Sequence, residues 1–233
     1  MLHHAIEKGH THVLETMLGL GVDVYSAIEI ADNGGRTPLF EAVENLQEDS
    51  QDLALLNMLI ASRSENGFGA NLNVCNYSGQ TPLFSAVRSG CQSAVECLIR
   101  AGASVDLNEG ELVKPEEDTE DDFESEEEKY FLHAFKNTMT PLHLACVLGN
   151  EDIALLLCEN DADPNLATAT LQYSALHLSV LANKPEMIIE LLSKTNADPY
   201  QPDAQGRVLM DLVHHFLPSY VDTFTDILET LKV

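Results

Sequence analysis

Tryptophan is absent from the 233-residue sequence, and basic residues are scarce. Lys and Arg together number 12 against 38 Asp and Glu, which gives a formal net charge of −26 at pH 7. A chain with this charge repels the phosphate backbone of DNA and RNA and the anionic surface of membranes. The scarcity of basic residues therefore argues against direct nucleic-acid binding and against binding to anionic lipid.

Long apolar runs and ordered cysteine patterns are also missing. No stretch approaches the roughly 18 apolar residues of a membrane-spanning helix, and the first residues do not have the pattern of a signal peptide, so we expect no membrane insertion. The five cysteines are scattered and never spaced C-x-x-C. This pattern fits buried free thiols in a reducing compartment better than disulfides or a zinc site. We predict a cytoplasmic or nuclear protein.

The sequence contains none of the short motifs that carry common catalytic chemistry. It has no G-x-x-x-x-G-K-[ST], G-x-G-x-x-G, G-x-S-x-G or H-E-x-x-H. Its acidic stretch lacks the D-x-[DN]-x-[DN]-G spacing of a calcium loop. We therefore predict no catalytic site, no cofactor and no metal site, and we regard an enzyme as the less favoured class.

Hydrophobic residues make up 45% of the chain, enough to bury a core. The negative charge is concentrated in residues 106–130, which hold 13 acidic and 2 basic side chains. Such a segment cannot bury enough apolar surface to offset its ordering entropy. We therefore predict a disordered acidic insertion at 107–130 inside a folded domain. Its candidate contacts for a basic partner are Glu116, Glu117, Asp118, Glu120, Asp121, Asp122, Glu124, Glu126, Glu127 and Glu128.

One phrase recurs along the chain. It reads T-P-L-F-E-A at residues 37–42, T-P-L-F-S-A at 81–86 and T-P-L-H-L-A at 140–145, with degraded copies at 2–5 and 174–179. Each copy is followed by a polar break, a second apolar run and a closing phrase similar to G-A-D-V. Thr suits a helix N-cap and Pro suits the first helical position, so each Thr-Pro predicts the start of a helix.

This pattern resembles the ankyrin repeat, a 33-residue unit of a turn and two helices that opens with T-P-L-H-x-A. The resemblance covers nearly the whole chain. It implies an all-α solenoid of helix-turn-helix units with short β-turn fingers, which acts as a non-catalytic scaffold for protein partners. We predict a single domain over 1–233, with repeats at about 1–31, 32–75, 76–106, 136–168 and 169–202 and a cap at 203–233.

The spacings depart from the 33-residue unit at two places. Thr37 lies 44 residues before Thr81, and Thr81 lies 59 residues before Thr140, where the acidic segment supplies the surplus. Each repeat contacts only its neighbours, so such insertions leave a stack intact. The chain begins inside a predicted first helix, which fits a module of a larger intracellular protein.

The resemblance implies that a partner contacts the concave face made by the fingers and the first helices. The candidate residues there are Tyr25, Arg36, Phe40, Glu41, Tyr77, Gln80, Phe84, Arg88, Met139, Tyr173 and Tyr200. Phe40 and Phe84 are the most informative, because an exposed aromatic ring in a groove is a typical hot-spot residue. The alternative is that both rings fill the His position of T-P-L-H and pack between repeats.

Two functions follow from these patterns. The first is a scaffold that binds a basic or amphipathic protein partner. The second is a regulator of the NF-κB-inhibitor type, because residues 176–186 resemble the L-H-L-A-V-x-x-x-x-P-[ED] phrase of that family. A long acidic insertion in mid-stack is not that family's pattern.

Three residues are candidates for covalent modification. Thr119 and Ser125 are each followed by acidic residues, the preference of acid-directed kinases such as casein kinase 2. Asn165 has an acidic residue two positions before it and Leu157 eight before it, which resembles the ankyrin targets of the asparaginyl hydroxylase known as factor inhibiting HIF. We expect the side chain of Asn165 to bond across its turn, and the alternative to modification is an ordinary turn residue.

Overall fold

The computed structural model describes residues 4, 6, 12–13, 16, 28–46, 53–61, 70–107 and 139–231. The chain forms two compact units, residues 1–114 and 115–233, which we call unit 1 and unit 2. The boundary falls within the predicted acidic insertion, and the single-domain assignment stays a prediction. The described residues form helices and turns without a strand, so the predicted all-α class is confirmed.

The described part of unit 1 contains four helices with defined bounds. They are α1 (Pro38–Glu44), α2 (Ala54–Ala61), α3 (Pro82–Arg88) and α4 (Gln92–Arg100). Helix α1 packs against α2 and α3, and α3 packs against α4. Each pair α1–α2 and α3–α4 is therefore one helix-turn-helix unit, and the first helices α1 and α3 are neighbours.

Unit 2 repeats this arrangement and adds a terminal pair. Its helices are α5 (Pro141–Leu148), α6 (Glu151–Glu159), α7 (Ala175–Leu181), α8 (Pro185–Lys194), α9 (Leu209–Phe216) and α10 (Val221–Leu231), with a short 3-10 turn at Pro218–Tyr220. Helix α7 packs against α5, α8 and α9, while α10 packs against α8 and α9. Leu and Ala of the recurring phrase, such as Leu142 and Ala145, are fully buried in this packing.

The Thr-Pro steps begin helices, as the sequence predicts. Thr37, Thr81 and Thr140 are N-caps with extended backbone, and a proline follows each of them. The Thr81 hydroxyl accepts a hydrogen bond from the Phe84 backbone N–H at 3.2 Å, and the Thr140 hydroxyl accepts one from His143 at 3.3 Å. These bonds satisfy one of the free N–H groups at each helix start.

Among the described residues, four turns form fingers that precede first helices. We number them finger 1 (residues 32–36), finger 2 (76–80), finger 3 (168–173) and finger 4 (203–207). In finger 1 the Asp32 carboxylate accepts hydrogen bonds from the backbone N–H groups of Gly34 and Arg36, both at 2.8 Å. Fingers 2 and 4 use the same geometry at Asn76 and Asp203. In all three, an Asp or Asn side chain accepts from the backbone of its own turn, which is the geometry of an Asx turn.

Candidate partner-binding site

Unit 1 presents a connected polar surface along finger 1, finger 2, α1 and α3. Arg36 contacts Asp32 through Nε at 2.9 Å and through Nη2 at 2.8 Å, and its Nη1 donates to Glu44 Oε2 at 3.0 Å. The other oxygen of Glu44 accepts from Arg88 Nη2 at 3.3 Å. Arg88 Nη1 in turn lies 3.5 Å from Gln80 Oε1, in finger 2. Glu44 thus links the repeat that contains α1 to the repeat that contains α3.

The side chains of this network shift the pKa values of one another. Burial alone would raise the pKa of Asp32, but the backbone and guanidinium hydrogen bonds from Arg36 outweigh it and leave the pKa below its usual value. The bond to Asp32, with attraction from Glu44 and Glu41, raises the pKa of Arg36. The side chains of this network remain 23 to 40% exposed, so such ion pairs contribute only about 0–1 kcal/mol to stability. Their main effect is to hold charged groups in place on an accessible surface.

Tyr77 is the most exposed aromatic residue of this surface. It lies at the tip of finger 2, and 65% of its surface is accessible. Its backbone N–H donates to the Gly34 carbonyl at 3.0 Å, so the tips of fingers 1 and 2 are joined. Of the candidate residues in unit 1, the structure brings Arg36, Tyr77 and Arg88 to an accessible surface, and Glu41 is half-buried beside them.

The prediction that Phe40 and Phe84 are exposed hot spots is wrong. Phe40 is 0% and Phe84 is 1% exposed, because both side chains lie on first helices at positions that face the packed interior. They occupy the His position of the recurring phrase, which was the alternative interpretation. A partner cannot contact either ring without unfolding the repeat.

Three further candidates are also buried rather than exposed. Met139 is 0% exposed, immediately before the N-cap of α5, and Gln80 is 7% exposed because its side chain bonds within finger 2. Tyr173 is 7% exposed, and its hydroxyl accepts a hydrogen bond from Arg207 Nη2 at 3.0 Å. These residues support the fingers and do not form contact surface.

The corresponding polar network of unit 2 lies at finger 4. Arg207 Nε donates to Asp203 Oδ2 at 2.7 Å, and Arg207 also contacts Tyr173 as described above. Tyr200, just before this finger, is 51% exposed and is the accessible aromatic candidate of unit 2. Sequence reasoning missed both Glu44 and Arg207. Glu44 offers no sequence signal, whereas Arg207 occupies the same place after a D-x-x-G turn as Arg36 and could have been found by that alignment.

The buried His143 joins the start of α5 to the loop at Leu166. The Thr140 backbone N–H donates to His143 Nδ1 at 3.1 Å, so Nε2 carries the proton and bonds the Leu166 carbonyl at 3.0 Å. Burial lowers the pKa of His143 to about 4, and the bond to Leu166 opposes this only in part. A pKa this low favours the neutral ring, and both ring nitrogens are engaged, so the role of His143 is structural.

Asn165 bonds to the next repeat, not across its own turn as the sequence suggested. Its Nδ2 donates to the Asn196 carbonyl at 3.0 Å, and its Oδ1 accepts from the Asp198 backbone N–H at 2.7 Å. Asn73 makes the equivalent bond to Ser104 N in unit 1, at 2.9 Å. The proposed hydroxylation target is thus a clamp between successive turns.

The remaining sequence predictions lie outside the described residues. These are Tyr25, the acidic side chains between Glu116 and Glu128, and the two phosphorylation candidates Thr119 and Ser125. Within the described ranges, no group of three or more His, Cys, Asp or Glu is arranged to hold a metal ion. No helix of those ranges is long and apolar enough to cross a membrane.

Comparison with known proteins places these features in context. A family model described as ankyrin repeats (3 copies) matches residues 2–109 and 123–203. The B-cell lymphoma 3 protein homolog of Mus musculus is 35% identical over 106 residues, which are 46% of this chain and 20% of that protein. The NF-kappa-B inhibitor cactus of Drosophila melanogaster is 26% identical over 174 residues, which are 74% of this chain and 29% of that protein.

A putative ankyrin repeat protein of fowlpox virus is also similar, with 29% identity over 116 residues, 49% of this chain and 36% of that protein. The matched region of this chain therefore spans between a fifth and little more than a third of the length of these relatives. The ankyrin repeat is a non-enzymatic fold that mediates contacts with protein partners.

Proposed function

Because the chain belongs to the ankyrin repeat family, we propose that it is a non-catalytic scaffold that binds a basic or amphipathic protein partner. The observation that carries this proposal is the charge of residues 106–130, with 13 acidic and 2 basic side chains in a protein of an interaction fold. Residues 107–130 attract the partner. The accessible residues of the fingers and first helices, such as Arg36, Tyr77 and Arg88, then make the specific contacts.

The two parts have different physical roles. Attraction between unlike charges mainly raises the association rate, and salt screens it over a Debye length of about 8 Å at physiological ionic strength. The Arg36–Glu44–Arg88 network presents charges of both signs in fixed positions. A fixed pattern of this kind selects among partners more than it adds affinity.

The first experiment uses a short fluorescent peptide of alternating arginine and glycine, which we call the Arg-Gly peptide. Its affinity for the chain is measured by fluorescence anisotropy over a series of salt concentrations. We compare the chain with a variant that lacks residues 108–129 and with a variant in which neutral residues replace the acidic ones of this segment. The neutral variant is the matched control, because it keeps the length of the segment and removes only its charge.

We expect both variants to bind the Arg-Gly peptide more weakly than the unaltered chain does and with a flatter salt dependence. Both variants should unfold cooperatively, since the residues that are deleted or replaced lie outside the apolar pattern. Unchanged affinity and salt dependence in the neutral variant would contradict the role of the acidic segment. In that case the segment acts as a spacer.

A regulator of the NF-κB-inhibitor type is the second candidate function. The name of one relative, the NF-kappa-B inhibitor cactus, supports it, as does the phrase at residues 176–186. This phrase lies on α7 and the start of α8, where Leu176 and His177 are buried. A purified Rel-type dimer should then bind the chain in a pulldown. Absence of binding at saturating dimer concentration rejects this candidate.

A cytoplasmic or nuclear location, as part of a larger intracellular protein, belongs to the same proposal. None of the five cysteines forms a disulfide, and Cys91 and Cys146 are buried. Cysteines without disulfides are typical of proteins in reducing compartments. Immunofluorescence of the endogenous protein tests the location, and an exclusively extracellular or organelle-lumen signal would contradict it.

A further inference from the structure

Tyr77 combines high exposure with a fixed position. An ideal Cβ placed on Gly35 would lie 2.6 Å from Tyr77 Cδ1 and 2.9 Å from Cε1, so the ring rests directly on the glycine of finger 1. Gly35 has φ +76°, and its missing side chain is what leaves room for the ring. The Tyr77 N–H to Gly34 carbonyl bond fixes the backbone of the same residue. One ring face is therefore held against finger 1 while 65% of the residue stays accessible.

The turn itself does not need this ring. In unit 2 the residue at the same place in finger 4 is Ala204, and its N–H bonds the Leu171 carbonyl of finger 3 at 3.0 Å. The residue that corresponds to Gly35 is there Gln172, with φ +53°. In unit 2 the same hydrogen bond between fingers therefore forms with Ala204 in place of the tyrosine and Gln172 in place of the glycine. The pairing of tyrosine with glycine in unit 1 serves something other than closure.

A ring held in this way is a good anchor for a partner. A fixed aromatic side chain loses little conformational entropy on binding. Its free face attracts cations, and guanidinium groups stack on aromatic rings better than ammonium groups do. Arg36, which follows Gly35, already contacts Asp32 and Glu44 within this chain. The net charge of −26 favours a cation from outside.

We propose that Tyr77 is the anchor of the unit 1 surface and that its free ring face receives an arginine side chain from a basic segment of the partner protein. This inference rests on the proposed scaffold function and names the contact that selects the partner. The acidic segment supplies attraction that depends on salt. Tyr77 supplies a contact that persists when salt screens the charges.

The test measures binding of the Arg-Gly peptide to the full chain at moderate salt for four proteins: the unaltered chain, Tyr77→Ala, Tyr77→Phe and Tyr77→Leu. Phenylalanine keeps the ring, whereas leucine keeps apolar volume and removes the π face. We expect Tyr77→Ala and Tyr77→Leu to weaken binding about two- to five-fold, and Tyr77→Phe to bind like the unaltered chain. The salt dependence should be the same for all four proteins. Thermal unfolding checks that each variant is folded, and Ala204 shows that alanine is compatible with this turn.

The possible failures are distinguishable. If Tyr77→Ala binds like the unaltered chain while neutralising the acidic segment weakens binding, Tyr77 is not the anchor and the scaffold proposal stands. If Tyr77→Leu binds like the unaltered chain and Tyr77→Ala does not, the ring contributes apolar area and the arginine assignment is wrong. If the unaltered chain does not bind the Arg-Gly peptide even at low salt, both proposals are overturned.

Discussion

At the scale of single residues, one position of the recurring phrase holds two kinds of side chain. His143 and His177 occupy it in unit 2, whereas Phe40 and Phe84 occupy it in unit 1. All four are buried. The histidines bond the N-cap residue, as in the 2.9 Å contact between Ser174 Oγ and His177 Nδ1. The phenylalanines leave that hydroxyl with fewer partners, and Thr37 Oγ1 has no hydrogen bond in the described part of the chain.

The neutral, buried state of His143 makes the stability of unit 2 depend on pH. Its folded-state pKa is about 4, below the usual 6.5, so the unfolded chain takes up a proton first as the pH falls. The contribution of neutral His143 to the free energy of unfolding is complete above about pH 6.5 and is lost as the pH falls toward 4. The full difference is on the order of 3 kcal/mol, and about 2 kcal/mol of it is expressed by pH 5. Denaturant unfolding at pH 7 and at pH 5 measures this loss in the free energy of unfolding.

The matched variant is His143→Phe, because phenylalanine fills this position in α1 and α3. It removes the titrating group, so its stability should change less between pH 7 and pH 5 than that of the unaltered chain. The absolute stability of the variant also changes, since the bond to the Leu166 carbonyl is lost. Identical pH dependence in the two proteins would show that His143 does not titrate as described.

Two residues that lie shortly after second helices have a left-handed backbone. Gly102 follows α4 with φ +96°, and Asp161 follows α6 with φ +69°. A non-glycine residue in this region costs about 1 kcal/mol. We therefore expect Asp161→Gly to raise the free energy of unfolding by about that amount, measured by urea denaturation. Asp161→Ala removes the charge and keeps the Cβ, so it should give no such gain.

The reverse substitution in unit 1 checks the same cause. No atom lies within 4 Å of a Cβ built on Gly102. Gly102→Asp should therefore lower the stability through its backbone angle and not through a clash. Equal stability of Gly102→Asp and the unaltered chain would argue against strain as the explanation at both sites.

At the scale of structural elements, clamps between successive turns recur in both units. Glu29 Oε1 accepts from the Asn71 N–H at 2.8 Å, Asn73 Oδ1 accepts from Ser104 N, and Asn165 Oδ1 accepts from Asp198 N. Each clamp joins one repeat to the next a little before the finger. These bonds connect the loops of neighbouring repeats, outside the contacts between helices.

Removing the side chain of Asn165 should destabilise the contact between two successive turns of unit 2. Asn165→Ala deletes the bonds to the Asn196 carbonyl and the Asp198 N–H. We expect a loss of about 1–2 kcal/mol, since each bond contributes about 1 kcal/mol. Hydrogen exchange of the Asp198 amide should accelerate, while that of the Ser104 amide in unit 1 is the internal control. An unchanged Asp198 exchange rate would contradict the clamp.

Hydroxylation of Asn165 remains a prediction, and the structure sharpens its test. The side chain is half-buried and bonded at both ends, so the hydroxylase must open this turn to reach it. Asn165 should gain oxygen more readily when unit 2 is destabilised. Tandem mass spectrometry of the peptide 160–172, from cells with and without the hydroxylase, detects the added 16 Da. If Asn165 gains no oxygen when the enzyme is abundant, the prediction is wrong.

At the scale of the whole molecule, charge is distributed independently of the fold. The repeats in each unit pair many of their basic groups internally, as in Arg100–Glu96, Lys194–Glu190 and Arg207–Asp203. Residues 106–130 hold 13 of the 38 acidic side chains and 2 of the 12 basic ones. A partner therefore approaches a chain with a strongly negative net charge. In the described fingers of that chain, the charged side chains are held in ion pairs.

Phosphorylation at Thr119 and Ser125 should increase that charge. Each phosphate adds about −1.5 to −2 charges at pH 7. We expect an acid-directed kinase to modify both residues and the modified chain to bind the Arg-Gly peptide more tightly at low salt, with little change in thermal unfolding. Intact-mass analysis after incubation with the kinase provides the measurement. Thr119→Ala with Ser125→Ala is the control, and an unaltered chain that gains no phosphate would reject the prediction.

The sequence by itself determined the repeat and its helices. The Thr-Pro steps place N-caps and first turns locally, through the backbone preferences of two adjacent residues, so α1, α3 and α5 begin where the phrase predicts. The turn at Asp32 is equally local, because one side chain bonds two backbone groups within four residues. Interactions this short in sequence need no knowledge of the remaining chain.

Only the tertiary structure decided which candidate residues a partner can contact. Phe40 and Tyr77 are both aromatic members of a repeat, yet one is 0% and the other 65% exposed. The difference arises because Phe40 faces the neighbouring helices whereas Tyr77 rests on Gly35, 42 residues earlier in the chain. The partners of Glu44 and Asn165 are likewise set by packing between repeats. Burial depends on such distant neighbours, and a local pattern does not contain them.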